Sequence, residues 1–212
     1  MTKIPSILLV MFMLAGFALQ AEAHPVSYAG AVSLMSYNRE NENDVLLTYS
    51  FTRSLAVGLT YLKVEDAEYT VPRLNYLVQR WNNEDSQGNI YFSAGYGTDR
   101  SFEEIKPVSF GSVEADWESR RYYTSIQYNK FFRSDSDAIK RVDFEHIKAR
   151  AGLAPYLAEF NELNAWLIVQ FDKMNDRPVE TTQFIRLFYK NVLVELGATF
   201  GGGWAFNYMV HF

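Results

Sequence analysis

An all-β fold is the class this sequence predicts: an antiparallel up-and-down barrel of about twelve strands that crosses a membrane behind a cleaved leader. Three observations point there. Along the final stretch Trp204, Phe206, Tyr208, Val210 and Phe212 are large and apolar, while Ala205, Asn207, Met209 and His211 between them are small, polar or adaptable. The first residues read as a leader. The intervening chain breaks into period-two segments of about 9–11 residues, the length at which a tilted strand spans a bilayer.

A period of two is the signature of a strand with one apolar and one wetter face. The sequence stops on Phe212, with no polar tail over the aromatic residues. On a soluble edge strand that would invite aggregation, whereas a strand that closes a ring turns the same face to lipid. In this pattern the chain resembles the bacterial outer-membrane β-barrel proteins, whose last strand alternates aromatics and ends in Phe. The resemblance implies outer-membrane lipid around the protein. It also implies handling by periplasmic chaperones and barrel-assembly machinery during biogenesis, with Trp204, Phe206, Tyr208, Val210 and Phe212 as the assembly signal. It says little about chemistry.

At the other end, Met1-Thr2-Lys3 supplies a positive charge, residues 4–19 are almost wholly apolar, and Ala21-Glu22-Ala23 is a small-x-small site before His24. This reads as a signal peptide over residues 1–23 with cleavage after Ala23, leaving a single barrel domain over 24–212. The apolar run falls short of the roughly 18 residues of a spanning helix. Later apolar runs are broken by charge, so any crossing has to be made by strands.

In order, strands are expected over 28–37, 44–52, 55–64, 69–81, 90–98, 109–119, 122–131, 141–156, 165–173, 181–189 and 192–200, and then the final stretch. The segment 55–64 shows the pattern well, with Leu55, Val57, Leu59 and Tyr61 against Ala56, Gly58 and Thr60. In 109–119, Val113, Ala115 and Trp117 alternate with Glu114, Asp116 and Glu118. Polar loops are expected at 38–43, 82–89, 99–107 and 133–140. The 141–156 segment also fits a helix, because Val142, His146, Ala149 and Leu153 recur at helical spacing before Pro155. An even strand count puts both chain ends on the periplasmic side. The tight links Arg53-Ser54, Arg120-Arg121 and Lys190-Asn191 then fall on that same side. Ten strands is the competing count.

Composition closes several routes. A formal charge of −5 with no concentrated basic face argues against nucleic acid. The absence of Cys excludes disulfides, thiolate metal sites and Cys nucleophiles. No cofactor is indicated. The wetter face carries Glu114, Asp116, Glu118, Arg121, Gln127, Lys148, Arg150, Gln170, Asp172, Arg186, Glu195 and Asn207. In a barrel these residues line the lumen. They form either a narrow polar pore, with Glu114, Asp116 and Glu118 facing Lys148 and Arg150 across a constriction, or a plug of cross-strand ion pairs.

Catalysis has little to stand on. Neither His24, His146 nor His211 has a Ser two positions away on its strand face. Asp135, Asp137, Asp143, Glu145 and His146 cluster near the outer rim, where acids and His could activate water, although a solvated loop explains them as well. Asp135 and Asp137 offer too few ligands for Ca²⁺. After cleavage His24 would present an amine beside its imidazole, a chelating pair for Cu²⁺. The alternatives to an integral barrel are a periplasmic soluble barrel with its apolar face inward around a small apolar ligand, and an outer-membrane hydrolase.

Overall fold

The computed structural model describes residues 24–101, 104–135, 141–159 and 161–212; the expected leader, 1–23, lies outside the described residues. Twelve strands succeed one another: β1 (Val32–Arg39), β2 (Glu42–Ser50), β3 (Leu55–Val64), β4 (Ala67–Asn82), β5 (Ser86–Ser101), β6 (Glu104–Ser119), β7 (Tyr122–Arg133), β8 (Phe144–Leu153), β9 (Asn164–Met174), β10 (Glu180–Tyr189), β11 (Val192–Thr199) and β12 (Trp204–His211). Each pairs antiparallel with its neighbours in sequence, and β12 returns to β1 to close the ring. The seam runs from Ser33 opposite His211 to Arg39 opposite Ala205. Closure satisfies every strand edge within the sheet, which is what lets a sheet exist in hydrocarbon.

The alternation read from the sequence becomes a division between outside and inside. On β9, Leu167, Val169 and Phe171 are exposed, while Trp166, Ile168, Gln170 and Asp172 are buried. On β12, Trp204 lies outside while Ala205, Asn207, Met209 and His211 are buried in the lumen, and Phe212, just past the strand's end, is exposed. A soluble barrel would show the opposite arrangement, with apolar residues inside. The 144–153 segment is strand, not helix: its pairing with β7 from Phe131–Phe144 to Tyr122–Leu153 supplies the backbone partners that helical spacing offered locally.

Several expected boundaries move. The polar stretches at 82–89 and 99–107 are largely strand, since β4, β5 and β6 each run for 16 residues. Polar residues can continue a ladder beyond the apolar band, where no lipid selects against them. Residues 38–43 reduce to a two-residue link between β1 and β2. The first strand begins at Val32 rather than Tyr28. Gly30, at φ 88°, turns the chain, and the preceding residues run across the lumen instead of along its wall.

Candidate functional site

Among the described residues, buried charged side chains converge in the lumen, which is built in bands. At the mouth away from the chain ends, the Asp99 carboxylate accepts from Arg133 Nε at 2.7 Å and Arg141 Nη1 at 3.2 Å. Both Asp99 and Arg141 are fully buried side chains, so Arg141 reaches inward at this mouth. Below it, the rings of Tyr69, Phe110, Phe131 and Phe144 pack at centroid distances of 4.7–5.9 Å.

Half of the middle band is fully paired. Glu195 accepts from Arg150 Nη2 at 2.8 Å on both oxygens, from Arg186 Nε at 2.7 Å and from Asn207 Nδ2 at 2.7 Å. Beside it, Asp172 accepts from Arg39, from Gln170 at 2.8 Å and pairs with His146 at 3.0 Å. Paired and hydrogen-bonded, these charges tolerate burial.

The other half is different. Asp44, Arg73, Glu114 and Lys148 stand on β2, β4, β6 and β8, so charge alternates in sign on every second strand. Among the described residues, none of the four has an ion-pair partner. Arg73 donates only to neutral oxygens, of Asn75 at 2.6 Å, Thr60 at 3.3 Å and Ser93 at 3.1 Å. The Lys148 ammonium lies 4.7 Å from the Tyr37 ring centroid. Glu114 accepts from Gln127 Nε2 at 3.2 Å. A cavity of about 40 Å³ opens among Pro25, Tyr37, Asp44, Arg73, Glu114 and His146.

The mouth at the chain ends is occupied by residues 24–31. His24 Nδ1 lies 3.3 Å from Asp116 Oδ2, and its ring stacks on Tyr91 at 5.4 Å. Asn89 Nδ2 donates to the other Asp116 oxygen at 2.7 Å. Val26 packs with Ala56, Leu77 and Tyr91. Backbone donors anchor the rest, from Ser27 to Ser50 Oγ at 2.9 Å and from Gly30 to the Ser50 carbonyl at 2.7 Å.

Of the expected lining residues, Asp116, Lys148, Arg150, Gln170, Asp172, Arg186, Glu195 and Asn207 are buried. Glu114, Glu118 and Gln127 lie on the same inner face, half-buried. Arg121 does not line the lumen. It sits exposed in the β6–β7 turn, where alternation has already ended. The expected facing of Glu114 and Asp116 with Lys148 and Arg150 also fails. These strands are near neighbours on one wall, and Arg150 crosses to Glu195 while Asp116 takes His24.

Sequence reasoning missed Arg73, hidden in a strand without clear alternation of charge, and a Ser–His contact. Ser33 Oγ lies 2.6 Å from His211 Nδ1, across the β1–β12 seam. Both residues are buried with 2% exposure or less, which leaves a substrate no approach and gives the hydrolase reading no site there. Of the rim acids, Asp143 and Glu145 share Lys130 at 3.4 and 2.7 Å and Asp135 accepts from Arg141 N at 2.9 Å, while His146 leaves them and turns into the lumen. Asp137 lies outside the described residues. His24 spends its imidazole on Asp116 inside the barrel, not at an accessible chain end.

The chain thus has the architecture of an outer-membrane β-barrel with a charged interior. No family model and no curated protein matches it. Among solved structures it is similar to the KdgM porin in complex with disordered oligogalacturonate, at TM-score 0.50 and 10% identity over 86% of this chain and 98% of that one. It is also similar to the NanC porin, at TM-score 0.48 and 9% identity over 85% and 98%. A third is OccAB4 of Acinetobacter baumannii, at TM-score 0.42 and 13% identity over 84% and 56%. At such identities the likeness concerns the fold.

Proposed function

We propose that this protein is an outer-membrane channel for small polar solutes, exported by residues 1–23 and cleaved after Ala23. The observation that carries the reading is the half-ring of Asp44, Arg73, Glu114 and Lys148. Arg73 and Lys148 are buried and Asp44 and Glu114 half-buried, none has an ion-pair partner among the described residues, and Asp44, Arg73 and Glu114 border a cavity inside a barrel whose outer face is apolar. Attraction to opposite charges on neighbouring strands offsets the desolvation of such groups less well than a contact ion pair does, so a barrel built only as a plug would pair them closely or replace them, as it does around Glu195. A passage needs such groups to stand in for the hydration that a solute gives up. The KdgM porin is described with oligogalacturonate. The balanced signs here give an acidic oligomer of that kind no net attraction, so the reading is of small solutes.

Residues 24–31 lie across the mouth at the chain ends, and passage requires that segment to withdraw. Single-channel recording on protein purified from outer membranes tests both statements. The unaltered protein is expected to open briefly, and a His24→Ala/Val26→Asp variant for longer, because it loses the Asp116 contact and places a charge against Ala56, Leu77 and Tyr91. No current above the bare bilayer from either protein would end the channel reading.

A further inference from the structure

We infer that the half-ring selects solutes that carry a positive and a negative group together, small zwitterions of the amino-acid class, over simple ions of either sign; this rests on the channel reading. Asp44, Arg73, Glu114 and Lys148 alternate in sign along one side of the lumen and sum to zero. A lone cation drawn to Asp44 or Glu114 meets Arg73 or Lys148 next to it, and the repulsion offsets the attraction. A lone anion meets the reverse. A zwitterion gains from both signs at once, with its ammonium toward a carboxylate and its carboxylate toward a cation on a neighbouring even-numbered strand.

The groups retain the capacity to bind. Three N–H donors of Arg73 are used, on Asn75, Thr60 and Ser93, out of the five a guanidinium carries. Rings back both cations, Phe110 at 5.0 Å from the Arg73 guanidinium carbon and Tyr37 at 4.7 Å from the Lys148 ammonium. That leaves their remaining donors for whatever occupies the lumen. The cavity of about 40 Å³ holds roughly three waters, at about 10–15 Å³ for each water position. That is the bulk of a very small amino acid.

The test measures entry of four solutes of similar size into liposomes carrying the His24→Ala/Val26→Asp protein: glycine, glycolate, ethanolammonium and neutral glycolamide. Glycine is expected to enter about fivefold faster than either ion. On that background, Asp44→Asn leaves two cations against one acid and should move the preference to glycolate. Arg73→Gln should move it to ethanolammonium. Heat-modifiable gel migration confirms that each variant is folded. Glycine no faster than the two ions, with glycolamide still entering, overturns the selectivity and leaves the channel standing. Exclusion of all four overturns the channel and the selectivity with it.

Discussion

Replacing Glu195 by Ala is the sharpest probe of how this barrel holds a charged interior. The side chain is 1% exposed and accepts from Arg150, Arg186 and Asn207 at 2.7–2.8 Å. Its loss strands two guanidinium groups in the lumen with no carboxylate between them. Breaking one buried ion pair costs about 3–5 kcal/mol, and here one acid serves two cations. The contacts of Arg150 with the Phe184 ring, at 5.3 Å, and of Arg186 with the Tyr123 ring, at 4.6 Å, stand in both proteins and so offset none of it. The expected loss is about 4 kcal/mol. Urea titration of the lipid-inserted protein, followed by Trp fluorescence, would read it as a lower midpoint at unchanged slope. Removing the stranded cations as well, with Arg150→Met and Arg186→Met, should restore most of the stability. A Glu195→Ala protein within about 1 kcal/mol of its parent would refute the reasoning, since only a solvated pair is worth so little.

Two further perturbations probe the wall itself. Leu167, on the outer face of β9 and more than half exposed, meets lipid; Leu167→Arg should lower stability by about 2–4 kcal/mol in the same titration, the cost of a cation near the bilayer midplane. Stability equal to the parent would place that face in water. A Cβ on Gly97 would collide with the Thr70 carbonyl and the Val71 backbone. Gly97→Val is therefore expected to cost about 1–3 kcal/mol and to broaden heat-modifiable migration, while Gly111→Val, where a Cβ meets only the edge of Phe132, should be tolerated.

Much of the fold could be read one residue at a time, because a strand's two faces are set by its own backbone. Val113, Ala115 and Trp117 against Glu114 and Asp116 were enough to separate lipid from lumen, and the aromatic alternation of the last stretch correctly anticipated which side of β12 faces out. The strand ends were harder. Polar residues beyond the lipid band, as in 82–89 and 99–107, join a ladder or leave it according to what their neighbours offer, and pairing of β4 with β5 and of β5 with β6 carried them into strand.

The sequence by itself determined the period-two alternation, hence the all-β class and most of the inward set, since side-chain direction along a strand follows from local geometry alone. Which inward groups meet was decided only by closure of the ring. Arg150 reaches Glu195 across 45 residues, and Ser33 reaches His211 across 178. The same closure created the interior that residues 24–31 enter. Those residues follow no alternation, so their position depends on the space left to fill: Val26 finds Ala56, Leu77 and Tyr91, and His24 finds Asp116. Distance along a chain carries no record of such meetings, because the free energy that selects them exists only once the wall has curved round to bring the partners together.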